Sequence, residues 1–290
     1  MGNSHLLREL IAAKQMILAP GAYDALTARI FEQAGFPAVY MTGFGSTASL
    51  IARPDVGLLS MAEMVDNARR ITQAIQIPLI ADADTGYGNP LNVIRTVREY
   101  ERAGVSAIHI EDQITPKKCG HMENKQVVPA AEMVEKVRAA VEARSSPNFL
   151  IIARTDARAV EGLDSALRRA RMYREAGADL FVEAPQSEQE VVIVARELVD
   201  APLLFNFAAG GKTPPVGIDR LRDLGYRIVI FPIAALLAAT TAVQKVAAEI
   251  RAHGTPAALV PELISFAEFN RMIGLEEIQR LERRFAAKTE

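Results

Sequence analysis

The chain has 290 residues, 50% of them hydrophobic and 23% charged, with a formal net charge of −2 and one cysteine, Cys119. That length suits one large domain, such as an α/β barrel, or two small ones. The near-neutral, interspersed charge argues against nucleic acid or an anionic membrane as partner, and a lone cysteine excludes an intrachain disulfide framework.

The opening Met1–Arg8 lacks an apolar core long enough for a secretory signal, so a cytoplasmic protein is expected. An amphipathic stretch from Ser4 to Ala13 precedes the first strand. Short apolar runs then predict eight strands: 16–19, 38–41, 78–81, 107–110, 149–153, 179–183, 203–206 and 228–231. Helical patterns lie between them, among them 91–103, 130–143, 163–176 and 188–199. Three helices end in Ala34-Gly35, Ala103-Gly104 and Ala176-Gly177, where glycine supplies the left-handed stop before the next strand. Such recurrence of one corner points to equivalent βα units. Eight of them predict an α/β fold of the closed (β/α)8 type rather than an open doubly wound sheet, and no Gly-x-Gly-x-x-Gly opens the first helix.

The uncharged run Ile228 to Gln244 reaches the lower length of a membrane span, but Pro232 and its alanine content favour a buried strand leading into a core-facing helix. After Pro256 a polar helix is predicted from Ser265 to Ala287, with an apolar stripe of Phe266, Phe269, Met272 and Ile273. That stripe packs either on a neighbouring subunit or on its own barrel. The expected organisation is one barrel domain over residues 1–290, with 255–290 as a helical extension.

In a barrel of this kind the reacting groups lie at the C-terminal ends of the strands. Asp82 and Asp84 close the third strand two residues apart and so share a face. Converging carboxylates suit a hard cation, Mg²⁺ with Mn²⁺ as a substitute; the alternative is that they cap a helix or fold into the following glycine turn. Glu111 ends the fourth strand on the face of His109 and can join that shell, whereas Asp112 points away and reads as structural. His109 itself is either a core histidine or part of the site. Arg154 ends the fifth strand among carboxylates, suited to a substrate carboxylate or phosphonate, or to an ion pair with Glu183. Asn206 can donate to a substrate oxygen. Cys119 stands in a loop beside Lys117, Lys118 and His121, a setting that favours thiolate; it is either a reagent on a closing loop or incidental.

Taken together, Asp82-Ala83-Asp84-Thr85-Gly86-Tyr87-Gly88, His109-Ile110-Glu111-Asp112-Gln113, Lys117-Lys118-Cys119-Gly120-His121, Ile152-Ala153-Arg154-Thr155-Asp156-Ala157 and Gly210-Gly211-Lys212-Thr213-Pro214 resemble the isocitrate lyase and phosphoenolpyruvate mutase superfamily. The likeness runs from about Pro20 to His253. It is strongest to the short-chain type, the 2,3-dimethylmalate and 2-methylisocitrate lyases and carboxyvinyl-carboxyphosphonate phosphorylmutase. The resemblance implies a (β/α)8 barrel with a terminal helix swapped between subunits and a homotetramer built as a dimer of dimers. It implies Mg²⁺ on Asp84, with Asp82 and Glu111 acting largely through water and Asp55 nearby. Substrate would be held by Tyr40, Thr42, Gly43, Phe44, Gly120, Arg154, Glu183, Asn206 and Pro232. Cys119 would be the general acid on a mobile loop, with His121 beside it in the catalytic set.

The implied reaction is cleavage of the C2–C3 bond of a 2-hydroxydicarboxylate to a 2-oxo acid. The cysteine motif argues for C–C cleavage, although the carboxyphosphonate mutase also carries it. Ala208 stands where the methylisocitrate lyases place a hydroxyl residue, and Ala209 where the dimethylmalate type expects an acid. Pro232 fits lyases better than oxaloacetate hydrolases, which carry serine. A dicarboxylate is therefore expected over a tricarboxylate. The rivals are a phosphonate mutase or hydrolase, an oxaloacetate hydrolase or decarboxylase, and a barrel that binds a 2-oxo acid without turnover.

Overall fold

The computed structural model describes residues 3–286 apart from His121 and Ala209, and for 180–182 the backbone alone. Eight strands form a closed parallel barrel in sequence order: β1 (Ile17–Ala22), β2 (Val39–Met41), β3 (Leu79–Asp82), β4 (Ala107–Glu111), β5 (Leu150–Thr155), β6 (Asp179–Val182), β7 (Leu203–Asn206) and β8 (Tyr226–Phe231). Pairing of Ile17 with Ile228 closes the ring. All eight expected strands are present, and the predicted helices at 91–103, 130–143, 163–176 and 188–199 appear as Pro90–Arg102, Ala130–Ala143, Leu163–Glu175 and Glu188–Glu197.

Strand alternation sorts the core into two layers. Ala38, Tyr40, Ile80, Ala107, Leu150, Ile152, Leu204, Ile228 and Ile230 join the fully buried Leu7 of the first helix, Ser4–Ala12, in one cluster inside the barrel. The opposite parity, such as Val39, Leu79, Ile108, Ile151, Phe205 and Val229, packs outward in a cluster shared with Val65, Val97, Met133 and Ala170 of the surrounding helices. Continuing the inward parity to the strand ends gives Asp82, His109, Glu111, Arg154 and Asn206. Polar chemistry therefore sits on an apolar floor. Gly35, Gly104 and Gly177 have φ of 86°, 88° and 103°, which a side chain would strain, so each repeated corner works as expected.

The chain divides into two compact units, Met1–Leu236 and Leu237–Glu290. The second comprises most of the helix Ala234–His253, a 3-10 turn at Ala257–Glu262, and the helices Phe266–Met272 and Leu275–Phe285. Two expectations change here. The single helix from Ser265 to Ala287 is two, because Gly274 adopts φ 92° between them. The helix after β8, expected to face the core, carries no buried residue, and the uncharged run ends within it at Gln244, before Lys245, Glu249 and Arg251. No described helix is long and apolar enough to cross a membrane.

Candidate active site

The strand ends meet around a cavity of about 210 Å³, lined by Tyr40, Thr42, Phe44, Asp55, Asp82, Cys119, Gly120, Met122, Arg154, Asn206, Ala208, Gly210, Gly211, Pro232 and Ile233. Of the residues expected to hold substrate, Tyr40, Thr42, Phe44, Gly120, Arg154, Asn206 and Pro232 lie on its wall, and Gly43 and Glu183 do not. His121 is outside the described residues.

Arg154 is held by three carboxylates. Its Nη1 lies 3.1 Å from Glu111 Oε2, its Nε 3.0 Å from Asp156 Oδ2 and 3.4 Å from Glu183 Oε2. Burial works against its charge, but these carboxylates outweigh it and raise its pKa. Glu183 in turn accepts from Asn206 Nδ2 at 3.1 Å through both oxygens. The expected alternatives for Arg154 are thus joined: an ion pair with Glu183 fixes the guanidinium at the cavity wall.

Tyr40 places its hydroxyl 2.6 Å from His109 Nε2 and 3.5 Å from Asp82 Oδ2. Burial lowers the His109 pKa to about 4, so the imidazole is neutral, while burial and Asp82 raise that of the Tyr40 phenol. His109 belongs to the site. Burial alone would raise Asp82, but His109, Lys117 and Arg154 bring it down to about 2.

The first turn of the helix Gly43–Ile51 borders the cavity at Thr42 and Phe44, with Thr42 Oγ1 accepting from Gly45 N at 3.2 Å. A helix start offers N–H donors and a positive dipole end to a carboxylate. Gly43 has to be glycine: a Cβ there would run into the Asp82 carboxylate, with Cγ at 2.9 Å. Gly120 is similar, its Cβ position meeting Arg154 Nη2 and lying 2.8 Å from Glu183 Cδ. Main chain, not side chain, of the Cys119 segment rests on the Arg154–Glu183 pair.

Both lysines beside Cys119 are directed elsewhere. Lys117 Nζ lies 2.7 Å from Asp55 Oδ1 and 2.7 Å from Asp84 Oδ1, and Lys118 Nζ donates to the Asn124 carbonyl at 3.0 Å. Neighbours of the thiol in sequence, they extend their side chains to carboxylates and backbone. Cys119 is half-buried and its N–H donates to the Asp55 carbonyl at 3.2 Å. Gln113 anchors the segment, donating to the Lys118 carbonyl at 2.7 Å and accepting from its N–H at 3.0 Å.

Sequence reasoning missed Lys117, Lys125 and Asp156 as members of the site. Lys125 Nζ lies 2.6 Å from Asp156 Oδ1 and also donates to the Gly120 carbonyl. The inward parity of Asp156, two residues beyond Arg154, was the available signal. Asp112 is structural as expected: it accepts from Thr155 Oγ1 at 2.7 Å, Tyr173 Oη at 2.8 Å and Asp156 N at 2.9 Å.

Asp82, Asp84 and Glu111 are all buried at the mouth, but among the described residues no three His, Cys, Asp or Glu side chains are gathered closely enough to hold an ion alone. Lys117 engages Asp84 and Arg154 engages Glu111. The donor set nevertheless fits a hydrated hard cation. Buried Asp55, Asp82, Asp84, Glu111, Asp156 and Glu183 outnumber the buried cations Lys117, Lys125 and Arg154. Glu111 Oε1 is buried without a hydrogen-bond partner among the described residues.

The chain is 47% identical over 287 residues to 2,3-dimethylmalate lyase of Eubacterium barkeri, covering 99% of both. It is 44% identical over 286 residues to 2-methylisocitrate lyase of Aeropyrum pernix, covering 98% of this chain and 92% of that one. A crystal structure of phosphonopyruvate hydrolase with oxalate and Mg²⁺ superposes with a TM-score of 0.90 at 33% identity, covering 99% of this chain and 100% of that one. The phosphoenolpyruvate phosphomutase family matches residues 7–251. Because these likenesses extend over the whole barrel and not one motif, the chain belongs to the phosphoenolpyruvate phosphomutase family, within the phosphoenolpyruvate mutase and isocitrate lyase superfamily.

Proposed function

We propose that the protein is a Mg²⁺-dependent carbon–carbon lyase that cleaves the C2–C3 bond of a 2-hydroxydicarboxylate, a substituted malate, to pyruvate or a related 2-oxo acid and a carboxylate. The observation that carries this reading is the meeting of Cys119, Arg154, Tyr40 and Asn206 around one cavity of about 210 Å³. A thiol is the proton donor such a cleavage needs, and the arginine supplies a fork for the substrate carboxylate.

Asp84 would hold Mg²⁺, with Asp82 and Glu111 reaching it through water; Mn²⁺ would substitute. When bound, the ion withdraws electron density from the 2-hydroxy acid and favours loss of its hydroxyl proton. Arg154, set by Glu111, Asp156 and Glu183, orients the carboxylate, and the first-turn amides near Gly43 and Phe44 hold the oxo-acid end. The substrate hydroxyl proton passes to the Tyr40 oxygen as Tyr40 gives its own to neutral His109, 2.6 Å away. The C2–C3 electron pair moves onto C3, leaving an enediolate, and Cys119 protonates that carbon. His121 stands beside the thiol in sequence and completes the catalytic set.

Ala208 lines the cavity and offers no hydroxyl to a third carboxylate, which supports a dicarboxylate. Ala209 falls outside the described residues. We further propose a cytoplasmic homotetramer of helix-swapped dimers, in which residues 1–290 form one barrel domain with 255–290 as its extension. Phe266 and Phe285, 85% and 73% exposed, support burial of the second unit by another copy. Light scattering of the purified chain checks the tetramer.

The activity is tested by incubating the protein and Mg²⁺ with a panel of substituted malates, methylisocitrate, oxaloacetate and phosphonopyruvate, then assaying pyruvate and oxalate. Release of a 2-oxo acid from a substituted malate is expected. Turnover of phosphonopyruvate or oxaloacetate alone would replace the lyase reading with a C–P or hydrolytic one.

A further inference from the structure

Lys117 is 3% exposed and bridges carboxylates from two different elements, Asp55 of the loop before the helix Met61–Ala74 and Asp84 just past β3. Two buried carboxylates this close repel unless a cation separates them. Asp84, however, is also the residue proposed to hold Mg²⁺, and its Oδ1 cannot pair closely with an ammonium and bind a hydrated ion at the same time. The surrounding space suggests where the ammonium goes. A second cavity, of about 420 Å³, is lined by Asp84 and Lys117 together with Ser60, Thr85, Arg95 and Thr115. Asp55 and Asp82 line the substrate cavity instead. The Asp55–Lys117–Asp84 chain therefore joins the walls of the two spaces, and the second offers a displaced ammonium the Ser60 and Thr115 hydroxyl oxygens, with Arg95 on the same wall.

We infer that the Lys117 ammonium stands in for the divalent ion: it holds Asp55 and Asp84 together in the metal-free protein and swings into the second cavity when the ion takes Asp84. This rests on the proposed Mg²⁺ site and adds a built-in competitor to it. Lys117 is two residues from Cys119, whose own N–H is bonded to the Asp55 carbonyl, so metal arrival is also felt by the thiol segment.

Mn²⁺ binding followed by electron paramagnetic resonance tests the competition. Lys117→Gln is expected to bind Mn²⁺ about tenfold or more tightly than the unaltered chain, since a like charge is removed from the ion's position. Lys117→Arg, which keeps the charge, is expected to bind no more tightly. Equal or weaker binding by a folded Lys117→Gln protein would overturn the inference. Failure of the metal reading itself looks different: the unaltered chain and Asp84→Asn would then bind Mn²⁺ alike. Amine-selective labelling of the unaltered chain provides a second measurement that no folding defect can confuse. Lys117 is expected to be protected without Mn²⁺ and modified with it; equal protection in both states also overturns the inference.

Discussion

The Tyr40 hydroxyl lies 2.6 Å from Nε2 of His109, an imidazole that burial keeps neutral with a pKa of about 4. A phenol and a neutral imidazole so placed share one proton path, and removing either end interrupts it. Tyr40→Phe and His109→Gln are each expected to lower kcat by about 10²-fold. The double variant should lose little more than the worse single one, as groups acting in series do. Steady-state kinetics of the three proteins measure this; additive losses would separate the two residues.

Cys119 carries a sharper expectation. Replacing the thiol by a hydroxyl leaves a much weaker acid in the same place, so Cys119→Ser should lower turnover by about 10²–10⁴-fold. Mg²⁺ and pyruvate binding, measured by calorimetry, should stay close to those of the unaltered protein. Unchanged turnover would remove Cys119 from the mechanism.

Chelation should abolish turnover, and added Mg²⁺ or Mn²⁺ should restore it. Metal should also raise the Tm, because an ion that binds only the folded state stabilises it by mass action. A thermal melt with and without chelator checks this without any substrate.

Asp112 predicts stability and not chemistry. It accepts from Thr155, Tyr173 and the Asp156 backbone while facing Arg169 at 3.4 Å. Asp112→Ala leaves those buried donors unpaired, while Arg169 keeps its bidentate pair with Glu161 at 2.8 and 3.0 Å, so the cost is about 1–3 kcal/mol for each donor left without a partner. Denaturant unfolding measures it. Asp112→Asn retains one acceptor oxygen and should cost less.

At Gly43 even one methyl group should matter. Gly43→Ala sets a Cβ against the Asp82 carboxylate and should lower kcat/KM well before it unfolds the chain, since overpacking costs about 1–3 kcal/mol. Activity beside a melting curve separates the two effects.

The barrel was legible because strand parity and the repeated Ala-Gly corners are local signals. The same parity placed Glu111 with His109, and Asp112 on the other face, but Asp84, expected beside Asp82 on the strand, lies past the end of β3 with φ 46° and lines a different cavity from Asp82. What the sequence could not display was which cation meets which carboxylate. Lys117 pairs with Asp55 across 62 positions, and Lys125 with Asp156 across 31. Closing the barrel creates such pairings, and no spacing rule encodes them. Beside Cys119 in the chain, Lys117 reads as a thiol activator; in space it neutralises acids. The break at Gly274 was available as a glycine, directly after the last residue of the apolar stripe, Ile273.

Gly120 gives the mouth of the barrel a property of its own. Because main chain rests on Arg154 and Glu183 there, the depth to which the neighbouring thiol descends is set by peptide geometry and not by a rotamer. Any bulk added at that position would act as a wedge between the Cys119 segment and the Arg154–Glu183 pair. The residue with no side chain is thus the one that sets how closely the Cys119 segment approaches Arg154 and Glu183.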